Sequence, residues 1–396
     1  MKFGVPELED LPPVEGKRVL VRCDFNVPIT RGGTADHTTA TIDDDLRIRA
    51  ALPTLQWLIE RGAIVTACSH LGRPKGAPDP KYSMEPVAAR LRQLAPDVTL
   101  LDNLRFNAGE EGNDPTFVRE LIAGQDLYVD DAFGAAHRSH ASIVGPPQFL
   151  PSAAGRLLAK EVEVLGGLLD SPKRPFVTVL GGSKVSDKLG VIESLLAKCD
   201  QLVIGGGMCF TFLAALGHPV GGSLFEADQV ETCKRLLALA KADGRDKIVL
   251  PSDITALSPE GMFGADPTKR TGEVRQVGRS IPDGWKGLDI GPGSAAEFGD
   301  VILDARTVFW NGPMGVFEDD RFAAGTRTVA QSMADTKAFT IVGGGDSAAA
   351  LAKFKLDDEV SHVSTGGGAS LEYLEQGDLP GLAALRASAD RLRVEE

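Results

Sequence analysis

No Cys-x-x-Cys pair occurs in the chain, and its five cysteines, Cys23, Cys68, Cys199, Cys209 and Cys233, are scattered through apolar context. That pattern argues against a cysteine metal site or a disulfide framework and reads as buried free thiols in a reducing cytosol. Long apolar runs are also missing. The most apolar stretch, QLVIGGGMCFTFLAALG, is broken by three glycines and reads as strand, turn and helix rather than a membrane span. The opening MKFGVPELEDLPPVEG has no apolar centre, so no secretory signal is expected and the reading is cytoplasmic. Positive charge is in deficit. A net charge of −13 argues against nonspecific binding to nucleic acid or acidic membrane, while leaving room for a local basic pocket. There is no GxxxxGK[ST] motif, so an ordinary P-loop nucleotidase is excluded.

What is present is ordinary in bulk and specific in detail. At 396 residues the chain exceeds the size of one hydrophobic core, so two domains are expected. Short apolar, β-branched runs alternate with turns and helix-period segments: RVLVRCDFNVP, AIVTACSHLGRP, VTLLDNLRF and DLYVDDAFGAAHRSH, then FVTVLGGSK, QLVIGGG, KIVLPSDI, TVFWNGPMG, FTIVGGGDS and SHVSTGGGAS. Continuous apolar strands between helices predict parallel sheets covered on both faces. The proline-punctuated stretch around 152–170 reads as one helix joining two halves, and LPGLAALRASADRLRVEE reads as a short amphipathic helix.

The halves differ at their strand ends, where ligands bind in parallel α/β sheets. The first half carries Asp24 and Asn26, His70 and Arg73, Arg105, and His137 with Arg138, while Arg47 opens the next helix. Singly, each has a bland alternative: a surface charge, a structural histidine, or a turn cap for Asp24 and Asn26. Together they suggest a pocket for a small, multiply anionic substrate, since guanidinium forks match carboxylates and phosphates. The second half carries glycines instead, in GGSK, IGGG, DIGPGS, NGPMG, GGGDS and STGGG, which let backbone N–H groups approach a nucleotide. TIVGGGDSAAA satisfies GxGxxA at Gly343, Gly345 and Ala348, but the ribose-binding acid of a dinucleotide fold is missing. Asp346 at that turn suits a Mg²⁺-bound ATP or ADP better, its alternative being an N-cap. Lys184 and Lys188, four apart, are expected to share a helix face at a helix N-terminus, an arrangement that an anion would compensate. Neither a Ser-His-Asp set nor a paired-carboxylate set is evident.

In their order along the chain, RVLVRCDFNVP, SHLGRPKG, LLDNLRFNAGEE, DDAFGAAHRSHAS, LGGSKVSDK, IGGGM, VFWNGPMGVFE, GGGDS and HVSTGGGASLE resemble the signature blocks of the phosphoglycerate kinases, from about residue 17 to 382. The resemblance implies an α/β fold of two doubly wound parallel-sheet (Rossmann-like) domains joined by an interdomain helix. The expected division is 1–151 for 3-phosphoglycerate, 152–170 for the helix, 171–375 for nucleotide, and 376–396 as a tail packing back on the N-terminal domain. It implies reversible phosphoryl transfer between 1,3-bisphosphoglycerate and ADP by a monomer that closes about the helix. By motif position, Asp24, Asn26, Arg47, His70, Arg73, Arg105 and Arg138 would hold 3-phosphoglycerate. Lys184, Lys188, Asn311, Glu318, Asp346 and Ser347 would serve the Mg-nucleotide, with Asp346 toward the metal. Gly205, Gly206 and Leu288 would border the adenine, and Glu318 would reach the ribose. The turns holding Gly343, Gly344 and Gly345, and Gly368, would give N–H groups to phosphates, with Arg47, Lys184, Lys188, Gly345 and Gly368 nearest the chemistry. Two departures stand out: the 29–45 loop is longer than the family usually carries, and Ser347 stands where threonine is usual.

Overall fold

The computed structural model describes residues 4–31, 40–242 and 244–395, and divides the chain into two compact units, Met1–Gly166 with Gly377–Glu396, and Gly167–Gln376. Most of the long loop noted above, residues 32–39, lies outside the described residues.

In the first unit, β1 (Arg18–Cys23) buries every residue after Arg18, as a central parallel strand must. It lies between β4 (Ile64–Cys68) and β6 (Leu127–Asp131), with Val19 opposite Val65 on one side and Leu127 on the other. The sheet continues to β5 (Thr99–Leu100) and β7 (Ser152–Ala154), giving the all-parallel order β5-β4-β1-β6-β7. Strand order reverses at β1, so the topological switch point lies between the carboxyl ends of β1 and β6. β2 (Ile29–Arg31) and β3 (Ala40–Ile42) form a separate antiparallel pair. Helices α1 (Leu46–Ile59) and α2 (Glu85–Leu94) pack on the face holding Val19, Val21 and Cys23, while α3 (Pro115–Ile122) and the short α4 (Ala141–Val144) pack together elsewhere in the unit.

The stretch expected to be one helix over 152–170 is divided. Ser152–Ala154 is the edge strand β7, and α5 (Arg156–Asp170) begins only after Gly155. The reason is a cap: one carboxylate oxygen of Asp131 accepts the N–H groups of Leu157 and Leu158, and Thr54 Oγ1 accepts that of Arg156. A Cβ on Gly155 would lie 2.2 Å from that Asp131 oxygen.

The second unit has six parallel strands: β8 (Phe176–Leu180), β9 (Gln201–Ile204), β10 (Ile248–Val249), β14 (Thr307–Asn311), β15 (Phe339–Gly343) and β16 (His362–Val363). Their order, β10-β9-β8-β14-β15-β16, is the doubly wound pattern, with its switch point between β8 and β14. Both units are therefore Rossmann-like α/β layers. KIVLPSDI, expected as one strand, is two: Pro251 follows β10, and Asp253–Leu257 (β11) joins β12 (Val274–Gly278) and β13 (Lys286–Ile290) in an antiparallel sheet. Helices α6 (Leu189–Leu196), α7 (Cys209–Ala215), α8 (Val230–Leu239), α9 (Pro292–Leu303), α10 (Ala324–Asp335), α11 (Gly345–Phe354) and α12 (Gly367–Gln376) complete this unit. The tail helix α13 (Pro380–Glu395) packs within the first unit: Gly381 N–H bonds Ala136 O at 2.9 Å and Ser388 Oγ bonds Leu150 O at 2.9 Å. No helix among the described residues is long and apolar enough to cross a membrane.

Trp310 of β14 is fully buried among Val177, Val179, Val308 and Val342, and its Nε1–H donates to Gly312 O at 2.8 Å, tying the strand to the turn that follows. Trp310→Phe keeps most of the volume but orphans Gly312 O and should cost about 1–3 kcal/mol. Trp310→Ala should cost about 3–5 kcal/mol. Urea unfolding of both variants checks this; equal midpoints for the two would contradict it.

Candidate active site

At the β1/β6 switch point of the first unit, the chain converges on a cationic cluster. Arg47, at the start of α1, pairs with the buried Asp24 carboxylate, whose other oxygen accepts the Asn26 N–H at 3.2 Å. Asp24 therefore caps the turn, the alternative its sequence position allowed, and pairs with Arg47 as well. Asn26 Oδ1 accepts Gly72 N–H at 2.9 Å, and Gly72 O accepts from Arg105 Nη1 at 2.8 Å, so three strand-end loops are laced through one glycine. Asn103 supports them, donating to Leu71 O and Tyr82 O. His70 is only 7% exposed; Arg105 is 6% exposed, its Nε lying 3.3 Å from Glu111. Arg73 is exposed in the turn beyond His70, with no side-chain partner among the described residues.

Electrostatics identify what the cluster wants. Burial, then Arg22, hold His70 well below its ordinary pKa. Burial, then Arg138, lower His137. Burial, then Arg105 and Arg138, pull His140 down to about 4. Burial pushes the Asp24 carboxyl up, but Arg47, His70 and Arg22 outweigh it and leave the group below the usual carboxylate range. At His70, His137 and His140 burial is the largest influence and nearby guanidinium groups add to it, while Asp24 pulls weakly the other way at His70 and His137. Sequence reading missed the residues beneath it: the fully buried Arg22, Glu110 and Ser142, and the buried His140. Arg22 had a signal, as a charge inside an apolar strand, whereas Glu110 lies in a charged turn and had none.

In the second unit, the turn after β8 runs through Gly182, at φ +107°, to Lys184. The two lysines do not share a helix face. Lys184 is exposed in the turn, and Lys188 has φ −132° as the N-cap of α6, which starts at Leu189. Lys188 Nζ instead donates to Gly181 O at 2.6 Å, Asn311 O at 3.0 Å and Asn311 Oδ1 at 2.6 Å, using all three of its protons at the ends of β8 and β14. Burial lowers its pKa to about 8, against a smaller opposing pull from Asp346. Asp346 is exposed in the first turn of α11 and is not the cap; that position is Gly344, at φ +93°. A Cβ on Gly367 would sit 3.0 Å from Gly344 Cα, so the starts of α11 and α12, with exposed Gly345 and Gly368, lie side by side. Both helices leave first-turn N–H groups without intrahelical partners. Ser347 is fully buried, its Oγ accepting Gly312 N–H at 2.6 Å. Gly343 is buried at the end of β15.

Beside this switch point lies a pocket of about 360 Å³, lined among others by Gly206, Gly207, Leu224, Phe263, Leu288, Pro313, Met314, Val316, Glu318 and Asp346. Gly206 has φ +65°, and a Cβ there would lie 2.6 Å from Gly182. Gly205 sits behind the wall, where a Cβ would strike Met314 Sδ at 2.5 Å. Phe263 and Leu224 were not anticipated. Phe263 comes from the excursion between β11 and β12, which is pinned by Arg270 to Gly264 O and by Arg321 to Met262 O.

Guanidinium groups at the strand ends of one Rossmann-like unit, and a glycine-walled pocket beside a lysine in another, are what a two-domain α/β phosphotransferase requires. The chain belongs to the phosphoglycerate kinase family, whose profile matches residues 8–98 and 94–377. It is 53% identical to a phosphoglycerate kinase of Frankia casuarinae over 96% of this chain and 99% of that one. The Rubrobacter xylanophilus phosphoglycerate kinase is 51% identical, over 97% and 98%. A solved structure of phosphoglycerate kinase from Coxiella burnetii superimposes with TM-score 0.85 at 37% identity, covering 97% of this chain and 100% of that one.

Removing the Arg138 guanidinium should raise the pKa of both His137 and His140, since it contributes to holding each down. NMR titration of the histidine ring signals in Arg138→Leu checks this; unchanged midpoints would place the source of the field elsewhere.

Proposed function

We propose that this chain catalyses reversible phosphoryl transfer between 1,3-bisphosphoglycerate and ADP, giving 3-phosphoglycerate and ATP. The first unit would hold the phosphoglycerate and the second the nucleotide. The observation that carries the reading is the contrast between the units: in the first, three histidines depressed by burial and neighbouring arginines, and in the second, glycine backbone around a pocket beside an ammonium.

Arg47, Arg105, Arg138, Arg73 and His70 would bind the substrate's carboxylate and phosphate, with Asp24 and Asn26 holding Arg47 and the Gly72 turn in place. Leu288, Gly206 and Phe263 would enclose the base, and Glu318 would meet the ribose. Lys184, with no partner of its own among the described residues, would meet nucleotide phosphates directly. Lys188 would exchange some of its three protein oxygens for phosphate oxygens as the ligand arrives. Exposed N–H groups at the starts of α11 and α12 would stabilise charge on the group in flight. The fully buried Ser347 would act by fixing the Gly312 turn.

The donor set suits a metal that arrives with the nucleotide. Mg²⁺ is commonly held by one or two carboxylates plus substrate phosphates, and Asp346 is such an exposed carboxylate at a helix start. When bound, the ion would neutralise charge on the phosphates. The nucleophile in the ATP-forming direction is already an anionic phosphate oxygen, so no side chain need take its proton. Catalysis then rests on in-line positioning and charge neutralisation, and closure about α5 would bring acceptor and donor together. The chain would act as a cytoplasmic monomer without nucleic acid or membrane partners, in keeping with its net charge of −13.

The test is ATP consumption with 3-phosphoglycerate and Mg²⁺, the product trapped by a coupled dehydrogenase. Folded protein that fails to turn over sinks the proposal. Arg47→Met should lower kcat by on the order of 10²–10³, as loss of a charge-stabilising donor does. Lys188 adds a protonic signature: an anion beside it raises its pKa from about 8, so ADP binding near pH 8 should take up protons. Calorimetry in buffers of differing ionisation enthalpy reads this directly, and a buffer-independent heat would exclude Lys188 from the phosphate site.

A further inference from the structure

Arg22 is the largest charged side chain wholly inside the first unit, at 0% exposure, and nothing in the proposed chemistry uses it. Its donors go in three directions. Nε bonds Ser142 Oγ at 2.8 Å, Nη1 bonds Cys23 O, and Nη2 lies 3.0 Å from His70 Nδ1. A guanidinium only donates, and a carboxylate only accepts, which fixes the direction of every link. Ser142 Oγ spends its proton on Glu110 Oε1 at 2.6 Å, and its backbone N–H goes to Glu110 Oε2 at 2.9 Å. Tyr128 Oη holds the Ser142 carbonyl at 2.6 Å. The chain of donors therefore runs from Arg22 through Ser142 to a buried carboxylate that balances its charge. On the other side, His70 Nδ1 has no choice but to accept.

We propose that Arg22 is a positioning residue: it holds His70 in the Nε2–H tautomer, so that a neutral imidazole presents an N–H donor, not a lone pair, to the bound anion. Two further observations agree. His70 Nε2 has no protein partner among the described residues, yet it is not among the sealed, unsatisfied polar atoms, so it is the ring nitrogen open to a ligand. Burial and the neighbouring guanidinium also keep His70 uncharged at neutral pH. Without Arg22 the ring could carry its proton on Nδ1 and turn a lone pair toward the substrate, converting an attraction into a repulsion. The ligand part of this inference rests on the reading of the cluster as the phosphoglycerate site; the tautomer does not.

The experiment is long-range ¹H–¹⁵N NMR of the histidine rings in the intact protein at pH 7. The expected result is a protonated Nε2 and an unprotonated Nδ1 for His70, with the Nε2 signals shifting when 3-phosphoglycerate is added. A dominant Nδ1–H form or an imidazolium overturns the proposal. So does a correct tautomer whose Nε2 ignores the ligand in protein that turns over. Protein that shows the tautomer but neither binds nor turns over 3-phosphoglycerate speaks against the functional reading instead. Arg22→Met should mix the tautomers and lower kcat/KM for 3-phosphoglycerate on the order of tenfold or more, as loss of a partner behind a working histidine does. The KM for nucleotide should stay within about twofold and Arg22→Lys should recover part of the loss. Folded Arg22→Met with unchanged tautomer and kcat/KM refutes the role. Should the buried Glu110 prevent that variant from folding, the His70 tautomer and its response to 3-phosphoglycerate in the unaltered protein, where Arg22 Nη2 lies 3.0 Å from Nδ1, decide the proposal by the outcomes already stated.

Discussion

A cation bonded to carbonyl oxygens at a topological switch point organises the site in each unit. At the carboxyl end of a parallel sheet the ladder runs out, and carbonyl groups there can take further donors from outside it. In the second unit the Lys188 ammonium takes Gly181 O and Asn311 O from the two strands that part there, and adds Asn311 Oδ1. In the first unit Arg22, near the end of β1, takes Cys23 O and reaches across to the Ser142–Glu110 pair. Each cation closes the open end of a sheet, and the binding loops are built around it.

The two differ in how their charge is balanced, and that difference separates scaffold from ligand site. Burial works against Arg22, but Glu110, a wholly buried carboxylate, and weaker contributions from neighbours including Asp24 together outweigh it and favour the charged state. Such a pair is locked, because removing either member strands the other. Lys188 faces carbonyl dipoles and an amide, with Asp346 acting only at a distance, so burial wins and its pKa falls to about 8. A buried ammonium with dipoles but no contacting carboxylate retains an attraction for anions that Arg22 has already spent.

Much of this was legible in the sequence because parallel α/β sheets put their chemistry at strand ends, where apolar runs stop. Reading Asp24, Asn26, His70, Arg105 and Arg138 off those ends needs only the strand pattern, and the structure laces most of them together. The lysine pair misled because spacing of four implies a shared face only inside a helix, and here Lys184 stands before the helix begins while Lys188 is its non-helical cap. Residues 152–154 misled for a similar reason. SAA has no strong propensity, and its capture as an edge strand depends on Asp131, over twenty residues earlier, claiming the helix start. Phe263 and Glu110 were illegible because each sits in an irregular segment positioned by distant partners: Arg270 and Arg321 for the first, Ser142 for the second.

A strongly acidic chain can still gather positive charge locally, as the arginines at the end of the first unit's sheet do. Its excess carboxylates are mostly at the surface, where water and salt screen them within about 8–10 Å. Beside the cluster the carboxylates are few and already engaged. Asp24 is held by Arg47 and by Asn26 N–H, and Glu110 by both donors of Ser142. What an approaching ligand meets is therefore the local field, not the net charge of the chain. At all three histidines burial acts most strongly against taking up a proton, and nearby guanidinium groups act in the same direction.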